Sequence, residues 1–291
     1  MSAETEINHE KLMELFGNVF NDVAGSMAIM MSYLGDQTGV YQAMDKLGSA
    51  SVKDIAEEAD VNERYLLEWL SSNAGRGYVT YHDDTGEFSL TPEQAAVFAR
   101  ESEPTCIQGL VQGVVGQFVK EDVAVDVFKT GRGRPWGEHH ECCFCGTERF
   151  FRPAYAGHLL DEWIPAMDGV ADKLTAGAKV ADIGCGLGTS SMLMAEQYPN
   201  STIHAYDFHE PSIEEAKRRA KEKGLTNLEF YVSDAGSIPQ ESYDLACIFD
   251  AWHDMGDPVG IAKAIKDTLA DDGTFMVVEP MALDGLQNNI E

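Results

Sequence analysis

The stretch from Val180 to Ser191, VADIGCGLGTSS, limits the fold of this chain more sharply than any other segment. An apolar run ends there in three glycines at alternate positions, Gly184, Gly186 and Gly188, and a helical pattern follows. Glycine lets the backbone approach a ligand where a side chain would block it, and a helix start offers unpaired N–H groups. The stretch predicts a strand, a ligand-binding turn and a helix.

Four further β-like runs follow, with helical patterns between them. They are Thr202–Tyr206, Leu228–Val232, Tyr243–Phe249 and Thr274–Val278. One intervening helix is predicted at Pro211–Lys223, with a capping box from Ser212 to Glu215. Strands that alternate with helices predict an α/β fold with a Rossmann-like, doubly wound parallel sheet, whose ligands bind at the carboxyl ends of the strands.

Polar residues stand at those strand ends. Asp207 ends the second run, where an acid can accept both hydroxyls of a ribose. Asp234 and Ala235 follow the third run, where a carboxylate can accept from an adenine amino group. A dinucleotide-binding enzyme is the alternative, but the turn is GxGxG without the last glycine of GxGxxG.

Taken in order, DIGCGLG, YDFH, VSDA and a fourth strand followed by HD resemble the class I S-adenosylmethionine (SAM)-dependent methyltransferases. Three further motifs are similar to a narrower set of these enzymes that carry an N-terminal winged-helix domain: GTERFFRPAY (146–155), DFHEPSIEEA (207–216) and FDAWHDMGDPVG (249–260). The resemblance covers nearly the whole chain. It implies a SAM-dependent methyltransferase that methylates an oxygen of a small-molecule substrate.

The resemblance also implies the residues that bind SAM. They are Asp182, Gly184, Gly186, Gly188, Asp207, Phe208, Asp234, Ala235 and Phe249. Asp182 is expected either to orient the glycine turn or to receive the amino group of the cofactor. Phe208 is expected either to pack on the adenine or to lie in the core.

His253 and Glu279 are the catalytic residues that the resemblance implies. An imidazole accepts a proton near neutral pH, and His253 matches the base that deprotonates a hydroxyl in plant and bacterial O-methyltransferases. Glu279 matches the acid after the fifth strand that steadies this histidine. A second such acid in the family has no counterpart here. Alternatively, His253 only caps the following helix.

The N-terminal third has a winged-helix pattern. Apolar residues recur at helical spacing from Leu12 to Leu34, two short helices follow at Ser51–Ala59 and Asn62–Asn73, and a hairpin turns at residues 83–86. We expect a winged-helix dimerisation domain at 1–103, a linker of helix and loop at 104–160, and a SAM-binding domain at 161–291. The class builds two more strands after the fifth, so the last domain is expected to be C-terminally incomplete.

This domain could bind DNA or form a dimer. The recognition helix of a DNA reader presents basic and amide side chains, whereas VNERYLLEWLSSN (61–73) has one Arg against two Glu. We therefore expect a homodimer through the N-terminal helices and no nucleic acid. A SAM-binding winged-helix regulator without turnover remains the alternative function.

The expected linker holds several ambiguous features. Thr105–Phe128 is predicted as a helix with three spaced glycines, which either pack another helix or leave room near a ligand. Residues 130–152 are predicted as a loop. Its arginines 132, 134, 149 and 152 either meet the SAM carboxylate or an acidic substrate, or offset neighbouring carboxylates. Cys142 and Cys145 have zinc spacing but lack a second pair, so no metal is predicted.

Composition adds the remaining expectations. The chain has 49 acidic and 21 basic residues, a formal charge of −28, which argues against phosphate-backbone binding and fits a halophilic source. No apolar run is long enough to span a membrane, and the N-terminus shows no secretory signal. Six cysteines without a paired framework indicate a reducing compartment, so a cytoplasmic protein is expected.

Overall fold

The computed structural model describes residues 7–290, and the chain forms two compact units, Met1–Pro153 and Ala154–Glu291. Residues 1–6 and 291 lie outside the described residues, and the expected lack of a secretory signal falls partly on them. The expected linker, 104–160, spans the boundary between the two units. Among residues 7–290, no helix is both long enough and apolar enough to cross a lipid bilayer.

The first unit is built of helices and a short hairpin. Its elements are α1 (His9–Gln37), α2 (Val40–Leu47), α3 (Val52–Ala59), α4 (Glu63–Gly75), β1 (Thr80–His82), β2 (Glu87–Ser89), α5 (Pro92–Phe98), α6 (Gln108–Val119), α7 (Glu121–Thr130) and α8 (Glu141–Ala154).

Local signals set the helix starts of the winged-helix region. The side chains of Ser51, Asn62 and Thr91 cap α3, α4 and α5 by accepting a backbone N–H, and Thr91 forms a capping box with Gln94. The strands β1 and β2 pair in antiparallel fashion. A core that includes fully buried Tyr41, Met44, Ile55 and Leu70 joins these elements. The predicted order of helix, helix pair, hairpin and helix is confirmed.

The helix α1 exposes the apolar stripe that the sequence predicts. Ten of its large apolar side chains are between 40% and 63% exposed. They are Leu12, Met13, Leu15, Phe16, Val19, Phe20, Val23, Met27, Met30 and Leu34. The stripe is therefore left without a partner among the described residues of its own unit.

The predicted helix over 105–128 and the predicted loop over 130–152 both need correction. The helix breaks at Lys120 into α6 and α7, and residues 141–152 are helical within α8 rather than loop. Glycines allow the backbones of α6 and α8 to pack directly against each other, which stabilises α8 as a helix. A Cβ on Gly109 of α6 would stand 2.3 Å from the amide nitrogen of Phe150 in α8. Local composition does not predict a helix that is stabilised by packing against another helix.

The second unit contains the predicted parallel sheet. After a π-helical segment at Tyr155–Trp163 come α9 (Val170–Ala176), β3 (Lys179–Ile183), α10 (Thr189–Gln197), β4 (Thr202–Asp207), α11 (Glu210–Glu222), β5 (Leu228–Val232), β6 (Tyr243–Phe249), α12 (Pro258–Thr268) and β7 (Leu269–Val278). The strand order is β5-β4-β3-β6-β7 with every pair parallel, so the doubly wound α/β fold is confirmed.

Two local predictions in this unit are wrong. Ser212 does not cap α11, because the helix begins at Glu210 with His209 as its N-cap, and the buried Ser212 hydroxyl instead bonds the His209 Nδ1 at 2.7 Å. The last strand begins at Leu269 rather than at Thr274. It includes the Asp-Asp-Gly segment, which resembles a turn in the sequence, because its pairing with β6 is irregular there.

Candidate functional site

The carboxyl ends of β3, β4, β6 and β7 lie side by side, and the predicted site residues gather at this edge. The chain leaves β3 through Gly184, Gly186 and Gly188, whose φ angles are 73°, 54° and 76°. This left-handed backbone favours glycine, which explains the GxGxG spacing. A Cβ on Gly186 would meet no atom within 4 Å, so this glycine faces open space.

The amides of the glycine turn are already hydrogen-bonded within the chain. The N–H groups of Gly184 and Cys185 donate to the Tyr206 carbonyl at 2.8 and 3.0 Å, and Gly186 N–H donates to Asp207 Oδ2 at 2.9 Å. The turn is thus tied to the end of β4. The unpaired N–H groups are expected at the helix start, which begins beyond these three amides at Thr189, so that expectation stays a prediction.

Asp207 links the turn to the next strand end. Its Oδ1 accepts the His209 N–H at 2.8 Å, while its Oδ2 accepts from Gly186. Burial raises the pKa of this carboxyl, and the two backbone bonds oppose that rise. Each carboxylate oxygen retains a further lone pair, so the geometry leaves Asp207 able to accept from a ligand.

Asp182 is buried and hydrogen-bonded to the start of α10. It is fully buried in β3, and its Oδ2 accepts from the hydroxyls of Ser190 and Ser191 at 2.7 and 2.5 Å. It therefore orients the turn by fastening the start of α10 to β3. The alternative, that it receives the amino group of the cofactor, stays a prediction, since its Oδ1 has no hydrogen-bond partner among residues 7–290.

Gly188 has a packing function. A Cβ there would stand 2.7 Å from the Phe230 ring and 3.2 Å from the Cβ of Ala216. The missing side chain lets α10 start close to β5 and α11. Any contact of Gly188 with a cofactor stays a prediction.

The remaining predicted cofactor residues surround the same edge. Phe208 is 54% exposed, so its alternative placement in the core is wrong. Asp234 is exposed and its Oδ1 caps the short turn at Ala235 by accepting the Gly236 N–H at 2.8 Å. Phe249 ends β6 and is buried against the Trp163 ring, with centroids 6.4 Å apart.

The predicted catalytic residues meet. His253 Nδ1 lies 2.5 Å from Glu279 Oε2, and the other oxygen of Glu279 accepts the N–H groups of Ala251 and Trp252 at 3.2 and 2.7 Å. The hydrogen bond to Glu279 raises the pKa of the half-exposed imidazole above its usual value of 6.5. Glu279 thus holds both the ring and the loop that carries it. The alternative role of His253, to cap the following helix, is not observed, since the side chain of Asp257 caps α12.

Asp250 is a site residue that the sequence analysis passed over. It directly follows β6, and one of its carboxylate oxygens lies with the facing atoms of His253 and Glu279 inside a 4.8 Å cluster. The three side chains are of the kind that binds metal ions, although His253 Nδ1 already contacts Glu279 Oε2 at 2.5 Å. Asp250 has a φ of +50°, which is uncommon for a residue other than glycine. The only sequence signal was its position at a strand end.

The basic and cysteine-rich segment of the first unit contributes salt bridges instead. Arg149 pairs with Asp36 at 2.8 Å, Arg152 with Glu148 at 2.6 Å, and Arg132 with Glu138 at 2.8 Å. For these three arginines, the prediction that they offset carboxylates is confirmed. Cys142 and Cys145 do not belong to any group of three or more potential metal ligands within residues 7–290.

The strand-end residues fit a SAM molecule. Gly186 borders an open space, Asp207 is a buried carboxylate with spare lone pairs, and Phe208 exposes an aromatic ring. We expect the ligand to lie beside the glycine turn, with its ribose at Asp207 and its adenine at Phe208. When bound, SAM supplies an electrophilic methyl group.

Comparisons with known families agree with this geometry. A family model described as a methyltransferase domain matches residues 174–291, and one described as an Rv2258c-like winged HTH domain matches residues 25–100. Aklanonic acid methyltransferase DauC of Streptomyces sp. (strain C5) is 32% identical over 108 residues, which cover 36% of this chain and 49% of that protein. The ubiquinone biosynthesis O-methyltransferase of Actinobacillus pleuropneumoniae serotype 5b (strain L20) is 30% identical over 105 residues, covering 34% and 44%. The chain thus spans half or less of these curated relatives.

Solved structures share the fold over a greater length. The mitomycin 7-O-methyltransferase MmcR superposes with a TM-score of 0.70 at 16% identity, over 96% of this chain and 84% of that one. Human N-acetylserotonin methyltransferase in complex with SAM gives a TM-score of 0.64 at 15% identity, over 95% and 81%. The chain therefore has the fold of these methyltransferases, with a methyltransferase domain matched at 174–291 and a winged HTH domain matched at 25–100.

Proposed function

We propose that this protein transfers the methyl group of SAM to a hydroxyl oxygen of a small molecule, with His253 as the general base. The observation that carries the proposal is the 2.5 Å contact between His253 Nδ1 and Glu279 Oε2 at the ends of two neighbouring strands. A carboxylate on Nδ1 directs the basic lone pair to Nε2, which is the arrangement of a histidine that accepts a proton.

The two residues divide the work. The Nε2 of His253 takes the hydroxyl proton while the oxygen attacks the methyl carbon in line with the departing sulfur. Glu279 stabilises the imidazolium that forms, because its ionised carboxylate accepts a hydrogen bond from the Nδ1–H group. The cofactor is held by the backbone of the glycine turn with Asp207, Phe208, Asp234 and Ala235, as the family pattern implies.

The expected pH dependence follows from the direction of the His253 pKa. Glu279 favours the protonated imidazole, so the pKa of His253 lies above 6.5. Only the neutral ring accepts a proton. Methyl transfer should therefore be slow at low pH and rise as the pH passes the raised pKa of His253.

Methyl transfer from isotopically labelled SAM to a panel of phenols and hydroxylated polycyclic compounds tests the proposal. We expect His253→Ala to lower kcat by about 100-fold or more while the affinity for S-adenosylhomocysteine, measured by calorimetry, stays unchanged. In Glu279→Gln the acid limb of the rate profile should move to lower pH. Undiminished turnover in His253→Ala would refute the base, and wild-type protein that binds no SAM would refute the function.

We also propose that the protein is a homodimer through α1. The exposed stripe of that helix lies on a continuous element of 29 residues, about 43 Å long. It includes stacked Phe16 and Phe20 rings. An apolar surface of this length is favourable when a second identical stripe covers it.

Light scattering of the purified protein tests the dimer. The double substitution Phe16→Glu and Phe20→Glu should give a monomer, because it places charges in the centre of the stripe. Asn18→Glu on the opposite side of α1 is the matched control and should leave the dimer intact. A wild-type monomer at micromolar concentration would contradict the interface.

We propose further that the winged helix does not read DNA. The helix in the recognition position, α4, carries an Arg64–Glu68 ion pair on its exposed surface, so its one arginine is already neutralised by the Glu68 carboxylate. A mobility-shift assay with random duplex at low salt should show no binding. Specific binding that responds to SAM would favour the regulator instead.

The proposed cytoplasmic location and halophilic source depend on composition. The sequence lacks the paired cysteine framework of a disulfide-stabilised protein, which fits a reducing compartment, and the formal charge is −28. Because molar salt screens self-repulsion between carboxylates, the melting temperature should rise from low to molar KCl. An equal melting temperature at low and at molar KCl would contradict the halophilic source.

A further inference from the structure

One arginine of the basic and cysteine-rich segment in the first unit is not paired with a carboxylate. Arg132, Arg149 and Arg152 each contact an acidic side chain, whereas Arg134 donates only to a neutral amide, from its Nη1 to Gln117 Oε1 at 3.3 Å. Its Nε and Nη2 atoms are buried and have no hydrogen-bond partner in the described part of the chain. A buried cationic donor without an acceptor is costly to the fold.

The two unpaired atoms of Arg134 are the atoms that bind carboxylates elsewhere in this chain. Nε and Nη2 lie on the same edge of a guanidinium, so together they donate to both oxygens of one carboxylate. Arg100 binds Asp45 in this way at 2.9 and 2.8 Å, and Arg152 binds Glu148 at 2.9 and 2.6 Å. The same edge of Arg134 therefore suits a planar anion with two oxygens.

The acid that feels the charge of Arg134 is already paired. The pKa of Glu138 is lowered chiefly by its hydrogen bonds to Arg132 and further by the charge of Arg134. Both oxygens of Glu138 accept from Arg132, at 3.0 and 2.8 Å, and Arg132 also donates to Asp126 at 2.9 Å. Within residues 7–290, Arg132 thus contacts two carboxylates and Arg134 none, in a chain that has 49 acidic residues.

The chain around Arg134 allows a ligand to reach the buried edge. The residue as a whole is still partly exposed, and it lies between the end of α7 and the start of α8. Gly131 and Gly133 precede it with φ angles of 69° and 78°, and a Cβ on either would meet no atom within 4 Å. Because glycine is conformationally the most permissive residue, the chain can shift at these two positions and uncover the edge.

We propose that Arg134 binds the carboxylate of a small acidic molecule through its Nε and Nη2 atoms. These residues all lie in the first unit, so the inference does not rest on the proposed methyl transfer. The ligand is an acidic methyl acceptor or a separate effector, and the two have the same carboxylate chemistry. The bound carboxylate supplies the acceptor that Arg134 lacks and stabilises the folded protein by mass action.

Thermal unfolding with anionic probes and their neutral counterparts tests the site. Millimolar benzoate and para-hydroxybenzoate should raise the melting temperature of the wild-type protein, whereas benzamide and para-hydroxybenzamide should not. In Arg134→Met, which retains an unbranched apolar stem, we expect the two carboxylates to bind at least about tenfold more weakly. Without ligand, the melting temperature of this variant should not fall, because the substitution removes a buried charge that has no acceptor.

Arg100→Met is the matched control, because Asp45 occupies the same edge of that arginine. It should leave the response to the carboxylates unchanged. Wild-type protein that responds to neither carboxylate overturns the inference, as does a large loss of stability in Arg134→Met, which indicates a structural role. A loss of S-adenosylhomocysteine affinity in Arg134→Met also overturns it, because the edge then serves the cofactor.

Turnover distinguishes the two sources of the carboxylate. If para-hydroxybenzoate is methylated and its KM rises in Arg134→Met, while the KM of para-hydroxybenzamide stays the same, the carboxylate belongs to the methyl acceptor. If the carboxylates bind and are not methylated, the ligand is an effector of the first unit. Wild-type protein that binds no SAM refutes the proposed function and leaves the binding result at Arg134 intact.

Discussion

Two glycine-rich regions of this molecule use the same residue for different physical reasons. In the turn after β3, the glycines have φ angles between 54° and 76°, and Gly186 faces open space. In the crossing of α6 and α8 the glycines are helical, and the backbone of one helix fills the place of a side chain on the other. The turn needs glycine for its left-handed backbone conformation, whereas the crossing needs glycine because the backbones of the two helices lie close together. Substitution by alanine separates the two requirements.

The largest effect is expected at the centre of the crossing. A Cβ on Gly146 would stand 2.5 Å from the amide nitrogen of Gly113 and 2.6 Å from the carbonyl oxygen of Gly109. Both are backbone atoms that cannot rotate away. Gly146→Ala should therefore lower the free energy of unfolding of the first unit by about 3 kcal/mol, measured by urea denaturation. A stability equal to wild type would show that the helices are free to separate.

A smaller effect of another kind is expected in the turn. Gly186→Ala meets no steric obstacle, but an L-residue at φ of +54° costs about 1 to 2 kcal/mol. Its methyl group would project into the space that we assign to SAM. We expect S-adenosylhomocysteine affinity to fall by about tenfold or more, with thermal stability only slightly reduced. Normal affinity would indicate that the ligand does not approach this glycine.

The smallest effect, and of opposite sign, is expected at Gly113 in α6. A Cβ there would meet no atom within 4 Å, and its φ is not positive. Alanine is the better helix former, so Gly113→Ala should raise the free energy of unfolding by about 0.5 to 1 kcal/mol. It is the internal control for Gly146→Ala, because both lie in the same crossing. A loss of stability would show that the crossing is tighter than its contacts indicate.

The strand ends explain how much of the site could be read in advance. In a parallel sheet, residues that follow different strands meet at one edge, so Asp207, His253 and Glu279 could be grouped from the alternation of strands and helices. The direct contact between His253 and Glu279 depends on the loops that follow the strands, and only the family resemblance predicted it. Asp250 was missed because it follows β6 within the same segment as His253, and nothing local distinguishes a structural acid from an open one.

The amino-acid sequence by itself determined the five parallel strands, the glycine turn and the winged-helix order. These follow from periodicity, from backbone preference and from capping chemistry, all of which act over a few residues. Only the tertiary structure decided that Asp182 is buried with Ser190 and Ser191 as its donors, that residues 141–152 are helical, and that Asp250 lies beside His253 and Glu279. Burial and close backbone contact depend on elements far apart in the chain, and local patterns do not encode them.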